Sequence, residues 1–344
     1  INNIPNIPIS GQAIAASDID GDGDQDLFIG GRIIPDQYPY SPNSYLLINN
    51  NGKFTKKQIE INQMVSSALF SDYDLDGDDD LITVGEWSPI KIFNNENGSF
   101  FPANIESLNE TTGLWFSLAE NDIDLDGDID YFVGNIGLNT KFKVNDKKEF
   151  HIYSHDFDSN GTYDIVLSSN YNGNLVPSRG RECSSEQMPF IKDKFEDYTS
   201  FANATLYDIY GDSLNEALHY EANILYSVFL ENLGDGSFKV KKLPWQSQLA
   251  PISGFAVTDI NNDGFNEVIT VGNLYNVEVE TVRYDSSRGC ILSFLNGKFK
   301  ALSHLETGFI TTGDSRAICT IKNSSQTTLI VTNNDGSLDV FKSN

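Results

Sequence analysis

The sequence predicts an all-β chain, folded over residues 1–344 as a single seven-bladed β-propeller of four-stranded blades, with a short helical insertion near residues 184–203. Three observations carry that expectation. A nine-residue acidic pattern recurs along the chain. An Asn-Gly or Asp-Gly dipeptide recurs with it, between alternating segments. The mean spacing, about 49 residues, is the length of one four-stranded blade.

The acidic pattern is fullest at its first three copies. Asp18, Asp20, Asp22, Asp24 and Asp26 surround Gly23; Asp72, Asp74, Asp76, Asp78 and Asp80 surround Gly77; Asp122, Asp124, Asp126, Asp128 and Asp130 surround Gly127. Carboxylates at alternate positions, a Gly sixth and a further acid ninth place hard oxygen ligands around a tight turn, which is the chemistry that holds Ca²⁺. Each copy runs into an apolar segment ending in Gly, at Gly30, Gly85 and Gly134. Two looser copies keep oxygen donors: Asp156, Asp158, Asn160, Thr162 and Asp164, then Asp259, Asn261, Asp263, Phe265 through its carbonyl, and Glu267. Asp208 and Asp314 keep the leading acid but lose most of the ligands, so about five Ca²⁺ sites are expected.

The seven leading acids stand at 18, 72, 122, 156, 208, 259 and 314, and the interval from 122 to 156 is short. Within the first unit the elements follow in order: a strand at 13–16, the acidic loop, a strand at 27–30, a variable connection at 31–43, a strand at 44–48, the turn Asn51-Gly52, and a strand from Phe54. Asn-Gly between alternating segments specifies a hairpin, because both central residues take positive φ. The turn recurs as Asn97-Gly98, Asn172-Gly173, Asp235-Gly236, Asn296-Gly297 and Asp335-Gly336, with Asn145-Asp146 as the counterpart in the short unit. The last strand, near 338–341, leads to the expectation of a complete ring. Between 184 and 203, Phe190, Ile191, Phe195, Tyr198 and Phe201 fall at helical spacing, which predicts a helical insertion packed on the propeller by its aromatic face.

Composition narrows the function. The formal charge of -26 argues against nucleic acid, whose phosphates would repel the chain. Several Asp-rich loops imply a compartment with millimolar calcium, so an extracellular or outer-membrane surface location is expected. Cys183, Cys290 and Cys319 are an odd number without metal-ligand spacing, so the fold does not rest on disulfides. No apolar run approaches the roughly 20 residues needed to span a bilayer. The chain starts at Ile1 with neither Met nor a signal segment, and is read as a processed chain or part of a longer one.

Loops in an up-and-down blade alternate between its two ends, so the acidic loops share one face of the propeller. The connections on the opposite face carry Arg32 and Tyr38, Glu86 and Trp87, Asn135, Asn139 and Lys141, Arg179 and Arg181, and Tyr275, Arg283 and Tyr284. Arg suits carboxylates and phosphates, and Trp offers a stacking face. Their convergence on one depression would suit a protein or a glycan ligand. The enzymatic alternative is a calcium-dependent polysaccharide lyase or hydrolase at the channel mouth. His151, His155, His219 and His304 stand in no catalytic or zinc-protease spacing, and no Gly-x-Ser-x-Gly elbow is present.

The acidic loop followed by Asp26-Leu27-Phe28-Ile29-Gly30-Gly31 or Asp80-Leu81-Ile82-Thr83-Val84-Gly85 resembles the FG-GAP/VCBS repeat, the blade unit of the integrin α-subunit propeller. Gly30-Gly31-Arg32 with Pro35 and Tyr38, Gly85-Glu86-Trp87-Ser88-Pro89, Gly134-Asn135-Ile136-Gly137-Leu138-Asn139 and Arg283-Tyr284-Asp285 are similar to the C-terminal propeller of Bacteroidota VCBS-repeat proteins linked with ASPIC/UnbV domains. The resemblance implies a surface or secreted protein accessory to a SusC/SusD-type importer of glycans or peptides; the missing catalytic motifs lead to the separate expectation of a non-enzymatic binding module.

Overall fold

The second strands of several sheets are buried on both faces, as in Asp80–Ser88, where all but one residue is buried, and in Asp130–Gly134 and Glu267–Val271, where all are. Such strands need cover on two sides, and the architecture supplies it by stacking sheet on sheet. In the computed structural model, which describes residues 3–145, 148–278, 280–323 and 326–343, the first sheet joins β1 (Ser10–Ser17), β2 (Asp26–Ile33), β3 (Ser44–Asn50) and β4 (Lys53–Ile59) in sequential antiparallel order. The second repeats this with β5 (Met64–Ser71), β6 (Asp80–Ser88), β7 (Lys91–Asn95) and β8 (Phe100–Pro102). Helix α1 (Glu106–Asn109) follows, and β9 (Gly113–Leu114) pairs with the far end of β6.

The third sheet opens with β10 (Ser117–Asn121) and β11 (Asp130–Gly134), and then the chain leaves it. Residues 135–227 build a sheet of their own from β12 (Phe150–His155), β13 (Asp164–Tyr171), β14 (Asn174–Pro177) and β15 (Leu218–Ala222), in the order β14-β13-β12-β15. Between β14 and β15 lie α2 (Arg181–Gln187), α3 (Phe190–Lys194), α4 (Tyr198–Ala202) and α5 (Leu206–Tyr210). The chain returns to complete the third sheet with β16 (Val228–Asn232) and β17 (Phe238–Lys242), giving the order β10-β11-β16-β17. A further four-stranded sheet, β18 (Gly254–Thr258), β19 (Glu267–Val271), β20 (Cys290–Leu295) and β21 (Lys298–Ala301), and a three-stranded one, β22 (Ser315–Lys322), β23 (Thr327–Asn333) and β24 (Asp339–Lys342), finish the chain.

The all-β, antiparallel expectation holds, and the arrangement is consistent with a β-propeller: β1 packs beside β5, β5 beside β10, β10 beside β18, and β18 beside β22. Each junction has its own apolar cluster. Phe28, Val65 and Leu81 fill the first; Ile82, Tyr131 and Val228 the second; Phe132, Phe229 and Val268 the third; Ile269, Leu329 and Val331 the fourth.

The expected seven blades are corrected to six sheets among the described residues, five in the array and one inserted. Three sequence signals misled the count. Asp156 leads a loop inside the inserted sheet, which explains the short interval. Asp208 sits in the first turn of α5, where its side chain and that of Thr205 cap each other's backbone. Asp314 precedes its sheet's first strand and pairs with Arg316 at 2.7 Å. The turn Asp235-Gly236 therefore closes the third sheet. Asn145 forms a bridge with Lys148, while Asp146 lies outside the described residues. Nor does β22 pack on β1 as a complete ring requires, among the described residues.

The helical insertion is four short helices in place of one. Pro189 and Asp197 interrupt the run, and Ile191, Phe201, Leu206 and Ile209 bury against Tyr153 and Val166 of the inserted sheet. Tyr198 stays 62% exposed. Among the described residues no helix is long and apolar enough to cross a membrane, which says nothing of a β-barrel. All three cysteines are free.

The Gly that ends β11 marks a close approach between neighbouring sheets. A Cβ on Gly134 would stand 2.3 Å from Ser117 Oγ and 2.4 Å from the Ile252 carbonyl oxygen. Gly134→Ala should therefore force the third and fourth array sheets apart and destabilise the chain by about 1–3 kcal/mol. Chemical denaturation of the variant checks this, and unchanged stability would contradict the packing.

Candidate functional site

Five acidic loops join the first two strands of their sheets, and they share one backbone. The fourth position is left-handed in each, at Gly21, Leu75, Leu125, Ser159 and Asn262, and so is the sixth, at Gly23, Gly77, Gly127, Gly161 and Gly264 with φ between +89° and +104°. Non-glycine residues seldom accept such φ, so four of the fourth positions hold a conformation that must be supported by its surroundings. Support comes from the leading acid, which accepts from the sixth amide: Gly23 to Asp18 at 2.9 Å, Gly77 to Asp72 at 3.1 Å, Gly127 to Asp122 at 3.2 Å, Gly161 to Asp156 at 2.8 Å and Gly264 to Asp259 at 2.9 Å.

This fold of the loop turns its acids toward one point. Oxygens of Asp18, Asp20 and Asp22 lie within 4.8 Å of one another, as do those of Asp72, Asp74 and Asp80, of Asp122, Asp124 and Asp126, and of Asp156, Asp158 and Asp164. In the fifth loop the Asn261 amide nitrogen bridges Asp263 and Glu267 at 3.0 and 3.1 Å. Several carboxylate oxygens are buried without a hydrogen-bond partner: Asp78 Oδ1, Asp80 Oδ2, Asp122 Oδ1, Asp124 Oδ1 and Asp128 Oδ1. Burial, followed by repulsion from neighbouring acids, pushes Asp80 and Asp130 up to about 7 and Asp128 up to about 6. Orphaned hard oxygens around a cluster of like charges fit a divalent cation of the Ca²⁺ class, which takes six to eight oxygen ligands. Asp24, Asp76 and Asp126 stand in the same loops and complete the expected donor sets.

The ninth acid also ties each loop to its sheet. Asp26 accepts from the Ile19 and Asn49 amides, Asp130 from Ile123 and Asn232, and Glu267 from Ile260. Asp80 accepts from the Asn95 amide at 2.8 Å, and Asp164 from Phe157 and from the Gln187 side chain. Sequence reasoning missed the Asn partners. Asn95 Nδ2 donates to the Ile19 carbonyl at 2.9 Å and Asn232 Nδ2 to the Tyr73 carbonyl at 2.7 Å, so each fastens its own loop to the loop of the preceding sheet. The available signal is an Asn recurring two or three residues ahead of the Gly turns, at 49, 95 and 232.

On the other face, the residues proposed from sequence gather around an apolar plug and not around an open channel mouth. Arg32 pairs with Glu86 at 2.5 Å, Tyr38 donates to Glu86 at 2.7 Å, and Trp87 Nε1 donates to Tyr38 Oη at 2.5 Å. Trp87 is buried against Phe150, within a cluster that holds Met64, Ile152, Leu225 and Tyr284. Asn135 is wholly buried and donates to the Ile224 carbonyl. Lys141 and Arg179 meet on Glu278, at 3.0 and 3.1 Å. Burial alone would raise that acid, but Thr281, Lys141 and Arg179 hold it below the usual range. Tyr284 Oη shares a hydrogen with Thr140, Asn139 donates to Ser286 and the Leu249 carbonyl, and the Arg283 guanidinium covers the Tyr275 ring at 3.6 Å. The reason is the insertion, which brings Phe150 and Ile152 of β12 and Ala222 of β15 against Met64 and Trp87.

Arg181 stands apart from that plug. Its Nε donates to the Phe195 carbonyl and its guanidinium lies 5.4 Å from the centroid of the exposed Tyr198 ring. Both residues line a cleft of about 450 Å³ with Tyr171, Pro177 and Arg179.

A family model for the FG-GAP-like repeat matches residues 72–133, from the second acidic loop through β11. No curated protein matches the chain. Similar solved structures include an Agrocybe aegerita lectin described as recognising non-reducing terminal N-acetylglucosamine, 14% identical, with 96% of this chain and 80% of that one covered and a TM-score of 0.33. BBS1N in complex with ARL6DN is 12% identical, with 97% and 93% covered and a TM-score of 0.31. The V. cholerae biofilm matrix protein Bap1 is 13% identical, with 94% and 66% covered and a TM-score of 0.29. The repeat match and the stacked antiparallel sheets together support an FG-GAP-type β-propeller.

Without a cation, Asp80, Asp128 and Asp130 keep protons in the folded chain that the unfolded chain would release. Their folded pKa values are raised, so this contribution to stability is full below about pH 4 and is lost as pH rises through about 7. The melting temperature of chelator-treated protein should therefore fall between about pH 5 and about pH 8, and Ca²⁺ should restore it most at the upper end. A flat profile with chelator would contradict the buried-carboxylate account.

Proposed function

We propose that the chain is an extracellular, calcium-stabilised binding module without catalytic activity, and that its ligand is a glycan or peptide carrying acidic groups. The observation that carries the reading is the set of five loops with one backbone, four of them with three acid oxygens converging, and with two of the five acids in the second loop and three of the five in the third left with unpartnered buried atoms. Calcium at extracellular, millimolar levels would fill several such sites at once. The ligand position rests on the cleft beside the inserted sheet, where exposed Tyr171 and Tyr198 offer stacking faces and Arg181 offers a guanidinium. The segments around Arg32, Trp87, Asn135 and Arg283 resemble those of Bacteroidota VCBS-repeat proteins, which supports a surface component working beside a SusC/SusD-type importer.

Titration with acidic oligosaccharides in millimolar Ca²⁺ tests the reading. Tyr198→Ala and Arg181→Ala should each weaken binding by about tenfold or more, with calcium content unchanged because neither residue touches a loop. The reading fails if both variants bind as the parent does, and release of unsaturated or hydrolysed products from the oligosaccharide would favour a lyase or hydrolase instead.

A further inference from the structure

Two histidines that belong to no acidic loop are brought together by the inserted sheet. The register of β12 and β15 sets His151 opposite Glu221 and Tyr153 opposite His219, so His151, Glu221 and His219 share one face of the pair. His151 Nδ1 lies 3.0 Å from His219 Nε2 and 3.9 Å from a Glu221 carboxylate oxygen, and all three donor atoms fit within 4.8 Å. Two nitrogens bound at 2.0–2.1 Å to one tetrahedral ion stand about 3.3 Å apart. The observed separations bracket that value.

A second observation concerns the other nitrogen of the same ring. His151 is 6% exposed, and its Nε2 is buried without a hydrogen-bond partner. A neutral imidazole pair sharing one proton would satisfy Nδ1 and leave that nitrogen orphaned. Glu149 holds a carboxylate oxygen 3.9 Å from it, beyond hydrogen-bond reach but on the side where metal-bound imidazoles take an outer carboxylate to fix their tautomer. The His219 ring is held in turn by stacking on Tyr153, at 4.3 Å between centroids and 10° between planes.

We propose that His151 Nδ1, His219 Nε2 and a Glu221 oxygen bind one transition-metal ion of the Zn²⁺ class, with Glu149 accepting from His151 Nε2. Imidazole nitrogen disfavours Ca²⁺ and Mg²⁺, which take oxygen, so the site is chemically separate from the acidic loops. Three protein ligands leave a fourth position for water or an oxygen anion. Glu149 and Glu221 both line a cavity of about 560 Å³ with Phe142, Lys143 and Leu225, so the ion would stand at the edge of a space large enough for a small ligand.

Calorimetric titration of Zn²⁺ into the full chain, with Ca²⁺ in millimolar excess, tests the site. One Zn²⁺ per chain is expected, with micromolar or tighter affinity, and Co²⁺ in its place should give the strong visible bands of four-coordinate geometry. His219→Ala and Glu221→Gln should each weaken Zn²⁺ by at least about tenfold, since each removes one of three ligands. Both residues are exposed, so calcium content and melting temperature should stay as in the parent, and His219→Gln provides a second variant should the alanine fold poorly. The proposal is overturned if the parent takes up no more Zn²⁺ than His219→Ala does, or if excess Ca²⁺ displaces the Zn²⁺, which would place it in the acidic loops.

Discussion

The buried carboxylate at the ninth loop position is the constraint on which the rest of the structure depends. Asp26, Asp80, Asp130, Asp164 and Glu267 each begin a second strand, and each is withdrawn almost wholly from solvent. A lone buried carboxylate is expensive, and these are tolerated because backbone amides point at them, from the loop at Asp26, Asp130, Asp164 and Glu267 and from the third strand at Asp26, Asp80 and Asp130. One side chain thereby fixes where the loop ends, where the strand starts and how the third strand registers. The outward acids of the same loop are then forced into mutual proximity, and their repulsion is what a divalent cation would relieve. Stability, the clustering of the loop acids and sheet register are consequently aspects of a single arrangement.

The array was legible because its signals are local. Alternating acids, a sixth-position Gly and an Asn-Gly turn each specify a backbone conformation by themselves, and Asn51-Gly52, Asn97-Gly98, Asn172-Gly173 and Asn296-Gly297 all take the two positive φ values expected of them. Chain order was harder to read. A loop such as the one at Asp156 looks the same whether its sheet stands in the array or branches from it, because the pattern encodes a turn and not a neighbour. Asp208 shows the converse: a leading acid with Thr three residues earlier is equally good chemistry for capping a helix. Some of the face residues do meet: Trp87 and Tyr284 share one apolar cluster, and Arg32 pairs with Glu86. Their burial was not legible, because it depends on what residues 135–227 place over them.

That insertion changes the character of the face from a channel to a core. Trp87, Phe150, Ile152 and Tyr284 pack as they would inside a domain, and the ion pairs of Arg32 with Glu86 and of Lys141 and Arg179 with Glu278 surround them as a polar margin. Partly shielded pairs of this kind fix geometry more than they add stability. The exposed chemistry moves outward to the insertion itself, to Tyr171 and Tyr198 beside Arg181 and to His219 on β15, whose partner His151 is buried.

Asn135 gives the interruption of the third sheet a temporal meaning. Its amide nitrogens reach Ser227 and the Ile224 carbonyl, so the first residue of the insertion is clasped to the last ones. β11 cannot find β16 until the intervening chain has been synthesised, and pairings so distant in sequence slow folding. An insertion that folds on its own and closes its ends with such a clasp delivers Gly134 and Val228 side by side, which replaces a long loop closure by a short one. The nested sheet would then act as the nucleus that lets the third sheet form, and the order of assembly along the chain would run from its middle outward.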